Sequence, residues 1–392
     1  MQASRASSGN RRVTPLRVLL VLLVVILASW LIIRHENVPV DSSEYISLLD
    51  RPIDEPEFAP KATVDELLLL AEREIQRLLD RFPNSPPALN VKARRDFLLS
   101  DTKGAEAAWS EAVRLDPLYA EGLYGLALLA FEKNRYTDAI ALCEDIVRLS
   151  LGDPRVVLLL ADSLLHNGQA KEAILTLEHH MLNEQTTVQA WELLGSAHLQ
   201  EQDFAKAANC YERALSYAPK SRDALYGMSQ ALTQLGESKR AAEYTQQFAG
   251  LAKSRADESS DGAKAFVDRN YAAHVAALVY FDGARAAKQE GDLELAQSLL
   301  LRALRLESDV IEWLDELQSV LQAQGRKLDA VEVGRRLAYL APTNVERWLN
   351  LGGMYANLEM QKQAIEAYQK AVELSPDDDR CRRIQATLKG MR

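Results

Sequence analysis

Two hydrophobic patterns divide the chain. Residues 18–33, VLLVLLVVILASWLII, are apolar without interruption and carry no charge. From residue 62 onward apolar residues instead recur every three or four positions, as on one face of a helix, in short segments separated by polar turns. No stretch carries a strand pattern, so an all-α protein is expected. The first run is about 24 Å long as a helix, and Leu16 lengthens it towards the roughly 30 Å of a hydrocarbon core. Arg17 and Arg34 flank it and can snorkel to the two interfaces, with Trp30 near one end. Arg5, Arg11, Arg12 and Arg17 precede the run without an acid, whereas Glu36, Asp41, Glu44 and Asp50 follow it. The positive side stays in the cytoplasm, which places residues 35–392 outside it. No small-residue cleavage site follows the run, so it reads as an uncleaved, single-pass signal anchor rather than a signal peptide.

Between the two patterns lies a linker, residues 34–61. Pro39, Pro52, Pro56 and Pro60 block helix, and its acids repel one another. It reads as a tether holding the folded part off the membrane. The apolar stretch at Tyr45, Ile46, Leu48 and Leu49 leaves docking on the folded part as the alternative.

The second pattern has a period of 34 residues. From Val345 the chain places Trp348, Leu351, Gly352, Tyr355, Ala364, Tyr368, Ala371 and Pro376 at the spacing W-x2-L-G-x2-Y, A-x3-Y-x2-A, P. From Val188 the same spacing returns as Trp191, Leu194, Gly195, His198, Ala207, Tyr211, Ala214 and Pro219. These residues resemble the tetratricopeptide repeat (TPR) family. Units counted from Pro86, Ala120, Pro154, Val188 and Arg222 keep one phase, and units from Ala277, Ile311 and Val345 keep another. The resemblance implies a superhelical solenoid of about eight full repeats, each two antiparallel helices. Residues 62–85 read as the second helix of a degenerate repeat in front of them. No repeat buries a core alone, so stacking of neighbours makes the fold.

The domain order is a basic cytoplasmic N-terminus (1–17), an anchor (18–33), a linker (34–61), an N-terminal array (62–255), an insertion with helix extension (256–276), a C-terminal array (277–378) and a capping helix (379–392). The insertion contains one long helix, about 264–289. Two readings of it stay open: a hinge between two arrays, or one continuous superhelix with a lengthened helix. The second is preferred.

Charge and composition narrow the function. The five arginines of residues 1–34 leave 41 basic against 56 acidic side chains in the rest, a net −15 that disfavours nucleic acid. Three cysteines and no CxxC exclude a disulfide scaffold and a zinc ribbon. Cys143 and Cys210 read as buried small hydrophobes and Cys381 as an exposed tail thiol. His179 and His180 point about 100° apart on a helix and cannot easily share an ion. No HExxH, Walker A or dinucleotide motif occurs. No enzymatic activity, cofactor, metal site or small-molecule substrate is expected.

The family resemblance implies a concave groove lined by the second, fifth, ninth and twelfth residues of each first helix. The candidates for gripping a peptide there are Arg94, Phe97, Tyr124, Phe131, Arg155, Tyr226, Phe281, Arg285 and Lys288. Asn90, Glu121, Leu128, Leu158, Asp162, Leu165, Gln189, Glu192, Ser196, Leu199, Asp223 and Gln230 share those positions. The lysine and asparagine clamp of heat-shock co-chaperones is missing: Asn90, Arg94, Tyr124 and Leu128 stand there. The expected function is a membrane-anchored scaffold that binds proteins or peptides and assembles an envelope complex outside the cytoplasm. The alternative is a regulatory or chaperone-like subunit for a catalytic partner or an unfolded client such as an apocytochrome. A bacterial inner membrane facing the periplasm fits best, and a mitochondrial inner membrane is the second option.

Overall fold

A computed structural model of the chain describes residues 62–149, 153–181, 187–257 and 261–390. The apolar run and the linker lie outside the described residues. All the described residues belong to one compact unit.

The described residues form eighteen helices and no strand. They are α1 Val64–Arg81, α2 Pro86–Leu98, α3 Thr102–Leu115, α4 Ala120–Glu132, α5 Tyr136–Leu149, α6 Pro154–His166, α7 Ala170–Met181, α8 Val188–Gln200 and α9 Phe204–Tyr217. Then follow α10 Arg222–Gln234, α11 Ser238–Asp257, α12 Asp261–Gln289, α13 Leu293–Leu306, α14 Ile311–Ala323, α15 Lys327–Leu340, α16 Val345–Ala356, α17 Gln361–Leu374 and α18 Asp379–Gly390. No helix among them is long and apolar enough to cross a membrane.

Local chemistry sets the boundaries. The first helices α2, α4, α6, α8, α10, α14 and α16 begin at the residues from which the repeats are counted. Ser85, Asp153, Thr187, Ser221 and Asn344 cap five of them, each accepting from a backbone N–H in the first turn. The turn to each second helix passes through one left-handed residue: Ser100, Asn134, Gly168, Gln202 and Gly236, then Gly291, Gly325 and Glu359. Within each series the step is 34 residues. From Gly236 to Gly291 it is 55, one period plus 21, which is the length of the insertion at 256–276. The residue after each turn donates back to close the helix, as Asp101 N–H to the Asp96 carbonyl at 2.8 Å.

Small residues on first helices receive large ones from second helices. Tyr211 is 2% exposed, and its ring lies where a Cβ at Gly195 or Gly227 would overlap it. Trp109 likewise fills the space beside Gly125, and its indole N–H donates to Asn90 Oδ1 at 2.7 Å. Trp191 and Trp348 are only half-buried. The period also aligns charges. Arg155 reaches Glu121 at 2.8 Å and Arg380 reaches Glu346 at 2.5 Å, both across 34 residues.

The second array departs from the expected succession. α11 packs on α10, whereas α12 packs on α1, α2 and α13. α1 lies parallel to α12, with Leu67 beside Ala272 and Leu78 beside Gly283. α2 runs antiparallel to α12. Tyr271 donates its hydroxyl to the Leu98 carbonyl at one end, and Arg94 pairs with Asp282 further along. Glu74 of α1, 3% exposed, takes Arg302 of α13 at 2.9 Å, and Arg81 pairs with Asp292. With helices on several sides, Val275–Ala277, Val279–Ala284, Ala286 and Ala287 are all buried. That explains why this segment is apolar all round rather than along one stripe.

Two expectations are corrected here. α1 packs chiefly along α12, not as a regular second helix in front of α2. The lengthened helix exists, but the array is not continuous in chain order: α12 returns to α1 and α2, and the second array stacks on from there. Cys381 is a third correction. It is fully buried, with its sulfur 3.6 Å from the Ala371 carbonyl, because α18 covers α17.

Candidate peptide-binding wall

Successive first helices touch one another: α2 with α4, α4 with α6, α6 with α8, and α8 with α10. Among the described residues their second helices make no such extensive contact. The first helices are therefore closer together and form the inner, concave wall of the N-terminal array. Of the second, fifth, ninth and twelfth residues of these helices, Tyr124, Leu128, Phe131, Leu158, Asp162, Glu192 and Leu199 are part-buried, whereas Asn90 and Leu165 are buried.

The structure divides the sequence candidates into three groups. Arg94 and Arg285 meet at the junction of α2, α4 and α12. Arg94 pairs with Asp282, and Arg285 stands 4.0 Å from Glu121 and over the Phe281 ring. Tyr119, Glu121, Asp282 and Arg285 line a cavity of about 20 Å³ there, with Pro87 and Asn90. Burial pushes the Asp282 carboxyl up to about 6, with Arg94 and Arg285 opposing the rise. Phe281 is 3% exposed and stacked on Trp313, so it belongs to the core and not to an open groove. Lys288 is held by Glu316 at 2.7 Å and by Ser319 at 3.0 Å. Phe97, half-buried, leans on Trp109.

A second group sits on α4 and α6. Arg155 forks between Asp153 and Glu121 and lies over the Tyr124 ring at 5.1 Å. Phe131 meets Tyr136 and His166 edge-on, and those two rings stack 5.1 Å apart. The third group is at α10, where Tyr226 is 51% exposed and packs against Phe248, which Arg222 covers.

Between the last two groups the wall is acidic. Asp162 faces His166 Nε2 at 3.5 Å, and burial pushes its carboxyl up. Burial also raises Glu192, against a hydrogen bond from Ser221, and Asp223 adds to the rise. Sequence reasoning missed Asp282 as the partner of Arg94. The available signal was a lone acid inside the apolar run from Val275 to Ala284.

No group of three or more His, Cys, Asp or Glu side chains among the described residues can hold a metal ion. His180 is buried and His179 exposed. Burial pushes the Cys143 and Cys210 thiols to about 12 and about 11, and both are free.

Family models for the tetratricopeptide repeat match residues 90–154 and 192–261, residues 130–197, and residues 345–378. Together they take in more than half of the chain. The chain belongs to the tetratricopeptide repeat family. No curated protein matches this TPR chain. Similar solved structures include MamA, residues 41 to the end, from Desulfovibrio magneticus RS-1, which is 19% identical with a TM-score of 0.39, covering 41% of this chain and 92% of that one. PilF of Pseudomonas aeruginosa is 19% identical with a TM-score of 0.37, covering 66% of this chain and 99% of that one. A tetratricopeptide repeat protein from Parabacteroides merdae is 13% identical with a TM-score of 0.31, covering 68% and 96%. The TPR array is a scaffold suited to binding proteins or peptides.

Proposed function

We propose that the array captures a peptide segment of a partner protein on the wall formed by α4, α6, α8 and α10. The partial exposure of this wall carries the reading: Tyr226 is half-exposed, and Tyr124, Leu128, Phe131, Leu158 and Leu199 are only part-buried. At α2, by contrast, the same face is covered by α12. Aromatic and aliphatic side chains interleaved with charge suit an extended or helical peptide. A photo-crosslinking residue at Tyr226 is expected to trap a partner in cells, whereas one at Tyr217, more exposed but on second helix α9, is not. Equal trapping at both positions would remove the wall from the account.

The apolar run at 18–33 and the basic flank before it support a second part of the proposal. The array is tethered to a membrane on the non-cytoplasmic side, best a bacterial inner membrane facing the periplasm, and helps assemble an envelope complex. A reporter active only outside the cytoplasm, fused after Arg392, is expected to work. A dead reporter with an active cytoplasmic counterpart would invert the topology.

A further inference from the structure

The inner wall is already occupied at one place, and that place shows what the face accepts. The C-terminal half of α12 lies along α2. Ala286 and Gln289 stand by Pro87 and Asn90 at one end, and Asp282 meets Arg94 towards the other. The occupant is apolar where it packs, and it sets a carboxylate against the wall's arginine. Further along, Glu121 is answered by Arg155 and Arg285.

From α6 to α10, past Arg155, the wall carries three carboxylates that face no lysine or arginine among the described residues. Asp162 is the ninth residue of its first helix, Glu192 the fifth and Asp223 the second. Among the described residues none of the three pairs with a lysine or arginine: Asp162 meets only His166, and Glu192 only the Ser221 hydroxyl. The same first helices carry half-buried Leu158 and Leu199 and the half-exposed Tyr226 ring. Asp162 and Glu192 are already removed from part of their water, and Glu192 has Asp223 as a like-charged neighbour, so an arriving cation gains charge-assisted hydrogen bonds there.

We propose that the inner wall from α6 to α10 recognises a partner segment in which lysine or arginine side chains are interspersed with bulky apolar ones. The proposal rests on the peptide-wall reading above and names the class of its ligand. The face that takes a carboxylate-bearing helix at α2 continues into one that takes a cationic segment, so the two ends of the wall reject each other's ligand.

The test uses the full chain in detergent and three labelled peptides of about twelve residues: alternating Leu-Lys, alternating Leu-Glu and alternating Leu-Ser. Binding is followed by fluorescence anisotropy. The Leu-Lys peptide is expected to bind at least tenfold more tightly than the Leu-Glu peptide. The triple variant Asp162→Asn, Glu192→Gln, Asp223→Asn is expected to lose at least tenfold for Leu-Lys. A control triple, Glu144→Gln, Glu172→Gln, Glu212→Gln, makes the same charge change on exposed sites of α5, α7 and α9 and is expected to shift affinity less than twofold. Equal losses in both triples would reduce the effect to the net charge of the chain and overturn the proposal. So would an absence of Leu-Lys binding, or a preference for Leu-Glu. Tyr226→Ala separates the two levels. If it weakens whichever peptide binds while the acidic triple does not, the wall stands and its charge preference falls. If neither changes any affinity, both fall.

Discussion

The N-terminal array and the junction around α12 use the same first-helix face in different ways. Along α4 to α10 that face lines an open wall, and stability comes from the seams between neighbouring helices, where Tyr211 fits against Gly195 and Gly227. At the junction the face is covered: the part-buried pair of Arg94 with Asp282 crosses it, and Glu74 with Arg302 ties α1 to α13 beside it. A repeat keeps its inner face free only while its neighbours supply all of its core. Where the chain turns back, a helix of the protein itself takes the ligand's place.

The largest effect is expected from Trp109→Ala in the seam beside α4. The side chain is 1% exposed and hydrogen-bonded to Asn90, so its loss should cost roughly 3–5 kcal/mol in urea unfolding. An unchanged unfolding midpoint would contradict the seam.

At the junction the sign depends on pH. The Asp282 carboxyl, held up to about 6, binds a proton in the folded state that the unfolded chain has already lost above about pH 4. Acidification through that window should therefore stabilise the native protein relative to Asp282→Asn, by roughly 2–3 kcal/mol. The contribution is lost as pH rises through the folded value. Parallel unfolding curves for the two proteins from pH 7 to pH 4 would show that the carboxyl is not buried as described.

A smaller effect is expected at Gly227. A Cβ there would overlap the Tyr211 ring, so Gly227→Ala should cost roughly 1–3 kcal/mol, and Tyr211→Leu should relieve part of it. Additive costs would mean the two do not touch. The smallest is Tyr226→Ala, which should change stability by less than about 0.5 kcal/mol while lowering peptide affinity. A large loss of stability would move Tyr226 from the wall into the core.

Much of the array was legible in the sequence because the period fixes it. Trp191, Gly195, Ala207, Tyr211 and Pro219 mark one repeat, and stepping by 34 within each array finds its other first helices from α2 to α10 and from α14 to α16 at the right residue. The left-handed turn residue recurs just as regularly, but only Gly168, Gly236, Gly291 and Gly325 announce it. Ser100, Asn134, Gln202 and Glu359 occupy the same place, so composition hides half of the signal. The return of α12 to α1 and α2 was not legible. It depends on pairs such as Arg94 and Asp282, 188 residues apart, which no local pattern connects. For the same reason Phe281 read as a wall residue when it is core, since its position in the repeat is right but the neighbouring wall is covered. Cys381 was misplaced because a charged tail helix, with Arg380, Arg382 and Arg383, still buries one face on α17.

The most direct test of the account is a double-mutant cycle on Arg94→Met and Asp282→Asn, measured by urea unfolding of the full chain at pH 7.5. If α12 lies on α2, Arg94→Met strands the buried Asp282 carboxylate, Asp282→Asn takes the ion pair from half-buried Arg94, and the double variant recovers part of the loss, with a coupling of about 1–3 kcal/mol. Additive losses, within about 0.3–0.5 kcal/mol, would mean that the two residues never meet and that the second array does not return to the first.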